Sequence, residues 1–207
     1  ACNLFPILNP VAVSIILVSA CLICFEVEYE RYFEGAKFIH FLLGPATVAL
    51  AIPIYLNWNI VSRAKKAILV SVLLGVLFAI SATYGISWLL GLDIQTIMTL
   101  LPRNVTAPIA MGISEIIGGV PSLTAILTIV TGIVGAALGT FTLDLFRIKN
   151  MAARGFAFGL ASHGIGTARA MSKNDEAGVF AAVAMGLSGL VTAVMIPLIF
   201  LVAQGLI

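Results

Sequence analysis

Charge is scarce in this chain. Only 10% of its 207 residues are Asp, Glu, Lys or Arg, against 61% that are hydrophobic. So little charge cannot cover the surface of a soluble domain, which excludes an ordinary globular protein of water. Histidine is scarcer still. The two present, His40 and His163, are too few for a His-based metal centre, and no metal or other cofactor is expected. The three cysteines supply one close pair, Cys21-Leu-Ile-Cys24, with the spacing of a redox or zinc pair. It falls inside an apolar run with no second pair nearby, which points to packing. No Gly-x-Ser-x-Gly elbow occurs. Ser162 and His163 are adjacent, and helical neighbours diverge by about 100°, so they do not make a nucleophile and its base. An enzyme is not expected. A net charge of +2 without a dominant basic patch leaves no case for nucleic acid.

What fills the chain instead is apolar sequence, with a mean hydropathy of +1.14. Five runs have membrane-spanning character: residues 11–25, 38–56, 67–90, 123–146 and 179–202. The first is short and could extend back through Ile7 and Leu8. The expected fold is an all-α membrane protein, a polytopic helical bundle, with residues 1–207 forming one transmembrane domain. Apolar runs recur to the last residue, unlike a cleaved leader followed by a soluble domain. The chain opens on Ala1 without an initiator Met, and we expect a trimmed N-terminus.

The few charges are unevenly placed. Glu26, Glu28, Glu30 and Glu34 cluster between the first two runs, whereas Arg63, Lys65 and Lys66 follow the second and Arg147, Lys149 and Arg154 follow the fourth. Cytoplasmic loops collect Lys and Arg. This predicts residues 57–66 and 147–154 in the cytoplasm and 26–37 outside.

Two further segments have membrane-like length but the wrong composition. Residues 96–119 carry Pro102-Arg103-Asn104 and Thr106-Ala107-Pro108 at their centre, and residues 155–171 carry Ser162-His163-Gly164-Ile165-Gly166-Thr167-Ala168-Arg169. Proline removes a backbone donor and clashes with the preceding turn, and glycine weakens a helix. Both segments are expected to be interrupted helices, with breaks near Arg103–Thr106 and Ser162–Gly166, where glycine permits positive φ. Such breaks are tolerated at membrane depth only inside protein or beside water, and a mid-membrane Arg costs roughly 2.5–3.5 kcal/mol on insertion scales. For Arg147 to lie inside, residues 96–119 must dip in and return outside, and residues 155–171 must do the reverse. A long helix followed by a broken polar segment then occurs twice with opposite sense, the pattern of an inverted repeat, in which the ligand site lies at the repeat interface. Small residues at three- and four-residue spacing, Thr128-Gly132-Gly135-Gly139 and Gly178-Ala182-Gly186-Gly189, are expected to pack against the broken segments.

The polar groups suit a small organic anion. Arg103 and Arg169 offer planar forks for a carboxylate. Thr106, Ser162 and Thr167 supply hydroxyls, Asn104 an amide, and His163 a group that titrates near neutrality. If residues 162–169 were one helix, Ser162 and Arg169 would share a face, as would His163 and Thr167.

At these residues the chain resembles the LrgB/CidB family of bacterial membrane proteins. The resemblance runs from Pro6-Ile-Leu-Asn9-Pro10 to the last apolar run. Its most specific parts are Leu101-Pro102-Arg103-Asn104-Val105-Thr106-Ala107-Pro108, Gly118-Gly119-Val120-Pro121 and Ala161-Ser162-His163-Gly164 through Ala170. Asn104, Ala107, Leu160 and Gly164 depart from the residues usual in the family. The resemblance implies two roles in the bacterial cytoplasmic membrane. One is secondary transport of small monocarboxylates resembling glycolate, glycerate or pyruvate. The other is antiholin-like control of murein hydrolase export and lysis with a small LrgA/CidA-like membrane partner. A homodimer is expected from base rates.

Overall fold

The computed structural model describes residues 10–49, 51–203 and 205. The Pro6–Asn9 motif and any extension of the first helix through Ile7 and Leu8 lie outside the described residues, as does the side chain of His40. Regular structure among the described residues is α-helical throughout. The chain divides into two compact units, Ala1–Leu56 and Asn57–Ile207.

The first unit holds α1 (Pro10–Cys24), α2 (Tyr29–Ala49) and α3 (Ala51–Leu56). The acidic stretch read as a connection is mostly helix, because α2 already starts at Tyr29. Glu30 occupies its first turn, where a carboxylate meets the positive end of the helix dipole. The chain turns just before it at Glu26, with φ 51°. Cys21 and Cys24 are free and exposed, so the packing expected of them is corrected.

The second unit contains α4 (Trp58–Arg63), α5 (Lys65–Leu89), α6 (Ile94–Leu100), α7 (Ala107–Ile116), α8 (Pro121–Leu145), α9 (Met151–Met171) and α10 (Asp175–Ala203). Helices α5, α8 and α10 are long and apolar enough to cross a membrane. Their 25 to 29 residues give about 37–43 Å, more than the ~30 Å of a bilayer core. Their outer faces are apolar: Leu74 and Phe78 on α5, Val130 and Leu138 on α8, and Leu190 and Val194 on α10 are all exposed. In water this would be an aggregation hazard, whereas in lipid it is the solvent-facing side. The interior combines apolar clusters with a set of buried polar side chains. Thr83, Ser87, Thr99, Ser114, Thr124, Thr128, Ser162, His163, Thr167, Ser188 and Thr192 are buried.

Helix ends follow from local sequence. Asp93 caps α6 by accepting from Thr96 N at 2.9 Å and from Thr96 Oγ1 at 2.6 Å. These bonds, the hydroxyl's first, hold its carboxyl below the usual range. At the end of α7, Gly118 takes φ 81°, and Gly119 N donates to Ser114 O at 2.8 Å. This left-handed cap stops the helix and turns the chain into α8.

The short helices lie between the long ones in a regular order: α5, the α6–α7 pair, α8, the folded α9, α10. An apolar cluster of Ile97, Leu101, Val105, Ile113, Ile117 and Ile196 seats the first pair. A second, of Leu143, Phe158, Ala170, Ala177 and Ala181, seats α9.

Candidate functional site

Both broken segments are helical hairpins. In the first, α6 ends at Leu100 and α7 begins at Ala107, with Pro108 in its first turn and Thr106 as N-cap at φ −63°, ψ 144°. The interruption therefore covers residues 101–106. The segment folds back on itself: Val120 N donates to Thr99 Oγ1 at 2.9 Å across 21 residues. A full crossing would separate those groups by about the bilayer thickness. Thr124 of α8 clasps both legs. Its Oγ1 lies 2.9 Å from Thr99 O on α6 and 2.8 Å from Ser114 Oγ on α7.

The second segment reverses at a single residue. His163 sits at φ 41°, ψ −130° within α9, a conformation that costs a non-glycine residue about 1–3 kcal/mol and persists only where its surroundings enforce it. Both legs descend along the start of α10. A β-carbon at Gly155 or Gly159 on the first leg would strike the carbonyl of Ala177 or Ala181, and one at Gly178 would meet Met171 at the end of the second leg. The glycines expected to break this segment have other roles. Gly164 faces open space, and Gly166 lets the second leg approach Phe158 O on the first.

The reversal is held by α8. His163 Nε2 lies 2.9 Å from Thr128 O. A carbonyl only accepts, so Nε2 donates and carries the proton. The ring reaches the α8 backbone because Gly132 lacks a side chain: a β-carbon there would lie 2.6 Å from His163 Cε1. Ser162 and Phe158 press on Gly135 and Gly139 in the same way. Thr167 Oγ1 donates to His163 O at 2.7 Å and lies 3.7 Å from Met185 Sδ on α10. The Oγ1 of Thr128, a fully buried residue, has no hydrogen-bond partner among the described residues.

The two hairpins meet the same two helices one turn apart. On α8, Thr124 takes the first and Thr128 the second. On α10, Gly189 faces Ile109 of the first and Met185 faces Thr167 of the second. One turn is about 5.4 Å. The hairpins enter from opposite ends of α8, the first from its Pro121 end and the second from its Leu145 end.

The structure brings Ser162, His163 and Thr167 together. Arg103, Asn104 and Thr106 are half-buried beside or within the first break, and no side-chain hydrogen bond among the described residues joins them to the His163 turn. Arg169 is also half-buried, with its Nε buried and unpartnered. The face predicted to join Ser162 to Arg169 is not formed, because the reversal at His163 intervenes, whereas the His163–Thr167 pairing survives within the second leg. Sequence reasoning gave Thr128 a packing role only, and passed over Thr99, Ser114 and Thr124. The four-residue spacing of Thr124, Thr128 and Gly132 on α8 is the signal that could have found Thr124.

These features define a class: a multi-pass helical membrane protein with two opposed helical hairpins and buried hydroxyls where they meet. Residues 2–202 match the LrgB-like family. The chain belongs to that family. It is 36% identical over 194 residues to YxaC of Bacillus subtilis (strain 168), covering 94% of this chain and 84% of that protein. It is 34% identical over 196 residues to a holin-like protein CidB of Staphylococcus epidermidis (strain ATCC 12228 / FDA PCI 1200), covering 95% and 86%. A holin-like protein CidB of Staphylococcus aureus (strain N315) is 32% identical over the same length. No solved structure matches. The helices and these bacterial relatives identify a multi-pass protein of the bacterial cytoplasmic membrane.

Proposed function

We propose that the chain serves the holin-like role for which its relatives are named, as an antiholin-like regulator of murein hydrolase export and lysis. In this reading it acts with a small LrgA/CidA-like membrane protein and performs no catalysis. The supporting observation is the 34% identity over 95% of the chain to a protein named holin-like. Deleting the gene should change murein hydrolase release and lysis rate, and restoring it should reverse the change only when the small partner is present. Unchanged lysis in the deletion strain would sink the reading.

A second reading, secondary transport of small monocarboxylates, is favoured by a different observation. Two hairpins entering from opposite ends of α8 and meeting near its Thr128 follow the plan of inverted-repeat transporters. In this reading Arg103 and Arg169 contact the carboxylate, Asn104, Thr106, Ser162 and Thr167 supply polar contacts, and His163 couples a proton. Its Nε2 is engaged with Thr128 O, which leaves Nδ1 to exchange it. Positively charged ends at Lys65 and Arg147 would lie in the cytoplasm. The experiment is uptake of labelled glycolate or pyruvate into liposomes holding the purified chain alone. Transport predicts uptake without a partner, and Arg169→Lys should lower apparent affinity roughly tenfold through loss of the two-pronged contact. No uptake above empty liposomes would remove this reading and leave the first.

A further inference from the structure

A second polar feature lies away from the His163 turn, at the open base of the same hairpin. There the end of α8, the start of α9 and the start of α10 enclose a cavity of about 540 Å³. Its floor is apolar: Phe158, Ala170 and Ala177 all belong to the buried cluster beneath α9. Its mouth is basic, with Lys149, Arg154 and Lys173 facing one carboxylate, Asp144.

That carboxylate is already engaged. Arg154 Nη1 lies 2.6 Å from Asp144 Oδ1 and donates as well to Ile148 O at 2.8 Å. The ion pair thus fastens the α8–α9 connection and leaves the lysines aside. Among the described residues, neither Lys149 nor Lys173 has a carboxylate within 4.0 Å. Asp175 and Glu176 stand in the first turn of α10 but do not line the cavity. The helix ends need no anion either. Asn150 caps α9 through Ala153 N at 2.9 Å, and Asn174 caps α10 through Ala177 N at 3.0 Å. Two uncompensated ammonium groups therefore stand over an apolar floor.

Beside the lysines the lining includes an exposed apolar side chain, Met151, and the adjoining stretch of chain exposes Leu145, Phe146 and Ile148. A hydrated free ion would lose water against such a lining without replacement. An amphiphile would satisfy both, with phosphate at the lysines and its first hydrocarbon groups against Met151 and Phe158. Basic pockets between membrane helices at the cytoplasmic surface take acidic lipid headgroups for this reason.

We propose that this cavity binds the headgroup of an anionic phospholipid and so ties the base of the second hairpin to the membrane surface. The proposal rests on the membrane location, and on neither functional reading above. The test is native mass spectrometry of the purified full chain with equimolar phosphatidylglycerol and phosphatidylcholine, folding being checked by thermal melting. The chain should retain phosphatidylglycerol in preference. Each surface lysine contributes roughly fivefold to such binding, so Lys149→Gln/Lys173→Gln should lower the preference by roughly 30-fold while melting as a folded protein. Lys65→Gln/Lys66→Gln, which removes two lysines outside the cavity, should keep most of it. Equal loss in the two double variants would overturn the proposal, since generic surface charge would then suffice. So would displacement of the lipid by millimolar inorganic phosphate, or the absence of any preference.

Discussion

The two hairpins reach the same level of the same helices by different means. The first turns over six residues, 101–106, between Leu100 and Ala107, with prolines at its break and hydroxyls as its staples. The second turns at one residue that is neither proline nor glycine, and is held by glycine contacts on both flanking helices. A wide turn can be made by residues that forbid a helix. A tight one, at a residue that prefers a helix, must be enforced from outside. The break of the first hairpin is thus encoded locally and that of the second through its neighbours.

The largest expected effect follows from that contrast. In the second hairpin, Gly159→Ala would drive a β-carbon into the Ala181 carbonyl, a backbone group that cannot swing aside. Overpacking of this kind costs about 1–3 kcal/mol, and here a main-chain shift must absorb it. In the first hairpin, Gly112 has nothing within 4 Å of the corresponding position. Gly112→Ala should stabilise α7 by up to about 1 kcal/mol through helix propensity. Thermal melts in detergent should move in opposite directions. The close backbone contact of the first hairpin lies instead at Gly119, where a β-carbon would meet Thr99 N and Met98 C of α6. A drop of similar size in both variants would therefore mean that α7 is packed as tightly at Gly112 as the second hairpin is at Gly159.

A smaller effect separates two threonines one turn apart. Thr124 Oγ1 joins Thr99 O and Ser114 Oγ, so Thr124→Val leaves buried polar groups unpaired, at about 1–3 kcal/mol. Thr128 Oγ1 has no partner, so Thr128→Val should be neutral or slightly stabilising. If Thr128→Val also lowers uptake in liposomes while melting normally, its hydroxyl serves a bound group and not the fold.

The sequence carried these two regions unequally. Pro102 and Pro108 made the first break visible, and the apolar runs made α5, α8 and α10 visible, since both signals depend on composition along the chain. The placement of the second break within residues 162–166 was legible, but its cause was not. Gly164 and Gly166 drew attention because glycine permits positive φ, yet the residue that takes it is His163. What selects His163 is tertiary: Gly132 admits its ring, Thr128 O accepts its hydrogen bond, Gly166 lets the two legs close, and Gly159 lets the first leg approach α10. The start of α2 at Tyr29 was missed because acidic residues were read as a connection, although they suit the first turn of a helix. Of the residues singled out for ligand contact, Ser162, His163 and Thr167 were legible as a group because they are neighbours in sequence. Whether the arginines join them was not, since that depends on contacts between distant segments.

The subtlest expected effect tests the enforcement directly. Replacing His163 by Ala or by Gly removes the same ring, the same bond to Thr128 O and nearly the same volume, so the two variants share those costs. They differ in backbone preference. In a regular helix Ala is favoured over Gly by about 1 kcal/mol. At φ 41°, ψ −130° the order inverts, because glycine enters that region without the penalty of about 1–3 kcal/mol that a β-carbon brings. His163→Gly should therefore be more stable than His163→Ala by about 1 kcal/mol or somewhat more, measured by thermal melts of both variants in the same detergent. The sign alone is decisive. If His163→Ala is the more stable, residue 163 lies in ordinary helix, the second segment does not fold back there, and the contrast between the two hairpins fails at its narrowest point.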